Sequence, residues 1–456
     1  MQKLVASAAL LVLALAANPG GGRAQGGPSS PGLPAGYWAG AFVRAGSAQP
    51  ASAGFTRDGD TLRVELAVPE HVYLWPARVE RDSLGRFRFP TPYGAAHLAL
   101  DTATGEMVGP AGADSLGIRL HLKRTVGPLG PPPFTREEVV FRNGPVALSG
   151  TLLRPAGVAR PAVAVVVHGR ACSSRRPYLG YGELLARHGT AALVFDKRGT
   201  GTSGGECPLA RVQDLADDVS AAVRFLAGRA DVDPARIGAL SWSAGGWVST
   251  LATRGAPLAF LAMHVGPATD VQAQQLGNLR AILRRLGIHG ADSAAATRYV
   301  ELMFAGGDRQ ARYDEMVRIV REGQRTGWPR AYLDRGDFPR RPSEADSLWV
   351  RLNAYDPAPE LRRFRGPVLA LYGGADEVVP AGDNVELLRR LNPRARVQVV
   401  PGADHDLALD GEARTVGTGS DAVTYWKFPR AAPEGVEALL AFLRENGMSG
   451  EPPGRR

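Results

Sequence analysis

A serine hydroxyl is a weak nucleophile until a base takes its proton, and the base works best when a third group orients it. The sequence offers one ordered set of such residues. Ile237-Gly238-Ala239-Leu240-Ser241-Trp242-Ser243-Ala244-Gly245-Gly246 reads as a strand, a sharp turn carrying Ser243, and the start of a helix. Small residues flank the serine because backbone atoms crowd at such a turn, although Ser241 stands where glycine is usual. Gly373-Gly374-Ala375-Asp376 follows an apolar strand pattern, and Gly402-Ala403-Asp404-His405 follows another. Of the eight histidines, His405 alone lies at a strand end downstream of both Ser243 and Asp376. The assignment expected is Ser243 as nucleophile, His405 as base and Asp376 as the orienting acid. Asp404 and Asp406 are rival acids, but neighbours in an extended loop point apart. His264 precedes any plausible acid and is expected to line the pocket.

Attack on a carbonyl creates an oxyanion, which N–H donors must meet. His168-Gly169-Arg170-Ala171 follows a buried-strand pattern, and Ala244 follows the nucleophile. The N–H groups of Arg170 and Ala244 are the expected oxyanion hole, with His168 as a structural histidine. Asp196-Lys197-Arg198-Gly199-Thr200-Gly201-Thr202-Ser203 is glycine-rich but lacks the Gly-Lys-Ser/Thr ending of a phosphate loop. It reads as a structural turn braced by Asp196 and Arg198.

The elements that must position these residues are legible as alternating runs. Ala162 to Val167 is a continuous apolar run, suited to a strand buried on both faces. Strand patterns at 191–195, 237–240, 258–263, 368–372 and 396–400 alternate with helical patterns at 212–226, 244–252, 384–391 and 433–445. Such alternation predicts an α/β fold, a mostly parallel sheet with helices on both faces. Asn143-Gly144 between two strand patterns predicts a hairpin. The long Arg-rich helical stretch at about 269–356 interrupts the alternation and reads as a cap inserted over the site.

Taken together, His168-Gly169, Asp196-x-Arg198-Gly199-x-Gly201-x-Ser203, Ser241-x-Ser243-x-Gly245-Gly246, Gly373-x-x-Asp376 and Asp404-His405 resemble the α/β-hydrolase superfamily over about residues 135–446. The layout is similar to secreted bacterial esterases of the dienelactone-hydrolase and prolyl-oligopeptidase-like branch. The resemblance implies a serine hydrolase of the α/β-hydrolase fold that needs no metal and no organic cofactor. Its substrate would be a small ester or a short peptide-like molecule. Arg170-Ala171-Cys172 departs from the Gly or Ser that such relatives often carry. An esterase, a serine peptidase or aminopeptidase, and a silent binding protein on the same fold are the competing readings.

Upstream of the hydrolase pattern, residues 37–125 alternate in short runs such as Thr61 to Val68, separated by turn signals. They predict a small antiparallel β-domain, a sandwich or barrel. Residues 126–134 are a Pro-rich linker, and the hydrolase domain is expected over 135–448. Lys3 followed by the apolar run Leu4 to Ala17 and small residues predicts a signal peptide over 1–24, hence a secreted or periplasmic protein, with 25–36 disordered. No later segment reads as a membrane span. The two cysteines, Cys172 and Cys207, can pair in an oxidising compartment or stand as free thiols. The net charge of +9 comes from arginines spread along the chain, which argues against a nucleic-acid-binding stripe.

Overall fold

The computed structural model describes residues 35–125, 127, 133–333, 337–416 and 423–450. The expected signal peptide, nearly all of the 25–36 segment and most of the Pro-rich linker lie outside the described residues.

The amino-terminal part is one nine-stranded antiparallel sheet. Its strands are β1 (Gly36–Arg44), β2 (Ser47–Asp58), β3 (Thr61–Val68), β4 (Tyr73–Arg78), β5 (Glu80–Arg81), β6 (Phe87–Thr91), β7 (Gly94–Asp101), β8 (Glu106–Pro110) and β9 (Arg119–Thr125). They are ordered β4-β3-β2-β1-β9-β8-β7-β6-β5. Alternating apolar residues such as Leu62, Val64 and Leu66 turn to one face. The sheet curls around that face. Phe55 of β2 meets Phe89 of β6 edge-on at 5.8 Å, although the two strands are not neighbours.

The second part is an eight-stranded sheet ordered β10-β11-β13-β12-β14-β15-β16-β17. β10 (Phe134–Asn143) and β11 (Val146–Pro155) form the hairpin around Asn143-Gly144. β12 (Val163–Val167), β13 (Ala191–Phe195), β14 (Ile237–Trp242), β15 (Leu261–His264), β16 (Val368–Gly373) and β17 (Arg396–Val400) run parallel. Every residue of β12 and β13 is buried, because both faces are covered. Val163, Val165 and Val167 join a core with α2 (Val212–Ala227), α3 (Gly245–Ala252) and α10 (Ala381–Leu391). Ala164 and Val166 face α1 (Leu179–Arg187) and α11 (Pro433–Glu445) on the other side. Between β15 and β16 lie α4 (Val271–Arg285), α5 (Gly290–Phe304), α6 (Arg309–Gly323), α7 (Trp328–Tyr332), α8 (Trp349–Leu352) and α9 (Ala358–Arg363). Asp270 and Asp308 cap α4 and α6 by accepting the N–H of Ala273 and Ala311. No helix among the described residues is long and apolar enough to cross a membrane.

The two parts interlock. After β17 the chain makes an excursion, closed at its base by β18 (Ala408–Leu409) pairing with β21 (Arg430–Ala431). Its outer hairpin is β19 (Glu412–Val416) with β20 (Val423–Lys427). Phe428 from this excursion is buried in the core of the amino-terminal sheet, and Arg44 of β1 stacks 4.1 Å over Trp426. Gln49 donates to the carbonyl of Pro429 at 3.1 Å. On the opposite flank, Arg136 of β10 grips both carboxylate oxygens of Glu65 at 2.8 Å.

The two parts also meet backbone to backbone at α1. A Cβ placed on Gly180 would sit 1.7 Å from the carbonyl oxygen of Val72, just before β4. Backbone cannot yield as a flexible side chain can. Gly180→Ala is therefore expected to lower stability by about 1–3 kcal/mol and to loosen the sheet. Denaturant unfolding together with protease sensitivity of the 35–125 segment measures this; an unchanged midpoint and cleavage pattern would refute the close docking.

Candidate active site

Ser243, Asp376 and His405 all follow the carboxyl ends of parallel strands, β14, β16 and β17, so one sheet edge collects them. The backbone of Ser243 is left-handed, with φ of 49°. Few non-glycine residues adopt this region, and it turns the side chain out of the strand-to-helix bend. The bend is held by Ser243 N–H donating to the carbonyl of His264 at 3.0 Å. It is tight because a Cβ on Gly245 would lie 2.6 Å from the Val167 carbonyl, and one on Gly246 would lie 2.8 Å from Gly266 Cα. Ser241, in the usual glycine position, fits because its hydroxyl is buried and accepts from Ser249 Oγ at 3.1 Å.

The three side chains meet. His405 Nε2 lies 3.0 Å from Ser243 Oγ, and His405 Nδ1 lies 2.9 Å from Asp376 Oδ2. Asp376 is buried, and its other oxygen accepts the N–H groups of Val378 and Val379 at 2.7 and 2.9 Å. With Nδ1–H donated to the carboxylate, Nε2 is left to accept the serine proton. Of the rival acids, Asp404 accepts the N–H groups of Asp406 and Ala408, both at 2.9 Å, and so braces the turn. Asp406 lines the cavity; desolvation, then the nearby Asp404, push its pKa up.

The loop after β12 packs against the serine: a Cβ on Gly169 would lie 3.3 Å from Ser243 Cβ. Ala244 sits at the amino end of α3. Sequence reasoning missed what holds this loop. Lys197 is buried, and its ammonium donates to the carbonyls of Gly169, Arg170 (3.3 Å) and Ala171 (2.8 Å). Burial lowers its pKa to about 8. The available signal was a lysine inside a turn that directly follows a fully buried strand. Asp196 accepts the N–H groups of Arg175 and Thr202, and Arg198 pairs with Asp218 at 2.6 and 2.7 Å, so both brace the turn. The Arg170 side chain leaves the loop for the inserted helices: its guanidinium pairs with Asp337 at 2.7 and 3.1 Å and stacks over Trp349.

Two histidines lie behind the site. His168 donates from Nδ1 to the Ser173 carbonyl at 3.2 Å and stacks on Tyr178, while its Nε2 has no partner among the described residues. His264 does not line the pocket as expected. It is buried behind Trp242 and Tyr181, neither ring nitrogen has a partner among the described residues, and burial drives its pKa down to about 3.

In front of Ser243 and His405 opens a cavity of about 810 Å³. Three parts of the chain wall it. The end of β14 supplies Trp242 and the turn before α1 supplies Tyr178, the inserted helices supply Gln274 and Tyr332, and the amino-terminal part supplies His71 from a turn and Tyr73 and Trp75 from β4. Sequence reasoning missed this last contribution.

Cys172 and Cys207 are joined in a disulfide, tying the 168–172 loop to the turn after β13. Closing a loop of this length typically stabilises by about 3–4 kcal/mol. Replacing both cysteines by serine should lower stability by about 2–4 kcal/mol. A denaturation midpoint that does not move would show that the bond constrains nothing in the unfolded chain.

In fold the chain is similar to Est1E from Butyrivibrio proteoclasticus, solved with ferulic acid bound (15% identity, 68% of this chain, 98% of that one, TM-score 0.42). It is also similar to an esterase from Pyrococcus furiosus (18%, 62% of this chain, 88% of that one, TM-score 0.38). A third likeness is to a proline iminopeptidase-related protein from Thermus thermophilus (20%, 68% of this chain, 98% of that one, TM-score 0.41). No curated protein matches the chain in sequence. The sequence profile of the family described as serine aminopeptidase, S33, matches residues 159–412, more than half of the chain. The protein therefore belongs to this family of α/β-hydrolase serine hydrolases.

Proposed function

We propose that the protein is a serine esterase that cleaves carboxylic esters through an acyl-enzyme, with Ser243 as nucleophile, His405 as base and Asp376 as orienting acid. The observation that carries this reading is the hydrogen-bonded chain from Asp376 through His405 to Ser243 at the wall of a large cavity. Ser243 Oγ attacks the ester carbonyl as His405 Nε2 takes its proton. The imidazolium, stabilised by Asp376, then protonates the leaving alkoxide. Water, deprotonated by His405, attacks the acyl-serine and releases the acid.

The N–H groups of Arg170 and Ala244 are the proposed oxyanion donors. In a trans peptide the N–H of Arg170 points opposite to the carbonyl of Gly169. Lys197 holds that carbonyl, which supports the Arg170 N–H being turned away from the buried ammonium. Residues 269–356 are proposed as a cap, since Gln274, Tyr332 and Trp349 face the cavity. The disulfide and the amino-terminal leader pattern support a location outside the cytoplasm.

A second reading, an aminopeptidase on the same residues, is favoured by the family and by Asp406, a cavity carboxylate that could receive a substrate amine. Parallel assays of acyl esters and aminoacyl amides separate the two.

Ser243→Ala is expected to reduce kcat on p-nitrophenyl acetate by roughly ten-thousandfold or more. Asp376→Asn should cost roughly as much by leaving His405 in the wrong tautomer. Residual turnover within a few-fold of wild type in either variant would falsify the triad. Lys197→Met should lower kcat about tenfold or more with KM little changed, because it loosens an oxyanion donor rather than a binding wall. A change confined to KM would place Lys197 outside that role.

A further inference from the structure

The amino-terminal sheet enters the cavity through one short stretch, the turn at His71 and the start of β4. Tyr73 and Trp75 are two apart on this strand and so share a face. Their rings lie 5.8 Å apart and within 10° of parallel, one stacked against the other, so that an incoming ring could continue the stack. The cavity as a whole is rich in aromatic rings. Four of the seven tryptophans of the chain line it: Trp75, Trp242, Trp247 and Trp349.

The stretch is held on several sides. Val72 is held in a left-handed conformation, φ 50°, which a β-branched residue seldom adopts. Its carbonyl abuts Gly180, and His71 Nε2 lies 3.0 Å from Tyr93 Oη, a hydroxyl that donates to Gln49. A surface fixed this way needs no ordering when a ligand arrives. The Tyr73 hydroxyl has no hydrogen-bond partner among the described residues, and burial pushes its pKa up, so it stays a neutral phenol. Of the charged groups that face the cavity, Asp337 pairs with Arg170 and Glu377 with Arg285, and the carboxylate of Asp406 stands next to His405 at the reacting end.

We infer that Tyr73 and Trp75 are specificity-determining residues, a stacking surface by which the amino-terminal sheet selects substrates carrying a planar aromatic group. A branched or linear alkyl chain would be served as well by leucine or isoleucine. A pair of parallel rings adds offset stacking, which only a flat π-system exploits. This rests on the esterase reading for the reaction, but not for the binding.

The test compares methyl phenylacetate with methyl hexanoate, following acid release. In parallel, calorimetry measures phenylacetamide and hexanamide binding to the Ser243→Ala protein, where no chemistry can occur. Trp75→Ala should lower kcat/KM for the phenylacetate about tenfold relative to the hexanoate, through KM, and weaken phenylacetamide binding in step. Trp75→Phe, which keeps a ring, should restore most of both. Equal losses on both esters, no loss on either, or phenylacetamide binding untouched by Trp75→Ala would each overturn the inference. If the wild-type protein hydrolyses neither ester while Trp75→Ala still weakens phenylacetamide binding selectively, the stacking surface stands and the esterase reading falls.

Discussion

The site is organised around a single backbone constraint, the left-handed conformation of Ser243. Such a conformation costs about 1–3 kcal/mol and persists only where the surroundings over-determine it. Here they do so on every side. The serine N–H is taken by His264, the serine carbonyl accepts Gly246 N–H at 2.8 Å, and two glycines let α3 press against neighbouring backbone. The strand that leads into the bend is buried throughout. The hydroxyl therefore stands at a fixed point beyond the sheet edge. His405, Asp376 and the loop at 168–171 need only be brought to it.

That loop is restrained from three directions by different kinds of interaction. Lys197 binds its carbonyls from beneath, the disulfide ties Cys172 covalently to the next turn, and Arg170 reaches up to Asp337. A buried ammonium is costly unless its protons are all received. Three carbonyls receive those of Lys197, so the charge rigidifies the loop instead of destabilising it. The Arg170–Asp337 pair has a further consequence. Asp337 belongs to the inserted region, so any displacement of that region acts directly on a side chain rooted beside the proposed oxyanion donor.

These arrangements differ in how far the sequence discloses them. Ser243, Asp376 and His405 are legible because each follows a strand pattern, and strand ends on one edge of a parallel sheet converge whatever lies between. The disulfide stays open in the sequence, since two cysteines in loops can pair or not; only the fold brings Cys172 and Cys207 together. His264 shows the limit of the strand-end rule. It too ends a strand, yet its ring turns back under Trp242. Lys197 is hidden because its acceptors are backbone carbonyls, which leave no trace in residue type. Tyr73 and Trp75 read only as alternating strand residues, because their place in the cavity depends on a contact with Gly180 more than a hundred positions away.

The amino-terminal sheet is coupled to the edge that carries Ser243 and His405 twice, and the two couplings reinforce each other. One is the wall formed by β4. The other is Phe428, whose burial in the sheet core stabilises by about 1.5–3 kcal/mol. Phe428 lies just before the β18–β21 ladder that closes the excursion. Ala408 and Ala431, paired in that ladder, line the cavity beside His405. Pulling the sheet away from the hydrolase core would thus remove an aromatic wall and unseat the excursion that begins beside the histidine. The same apolar burial that joins the two parts of the chain also anchors the excursion next to His405, so the sheet belongs to the cavity wall as much as to the scaffold.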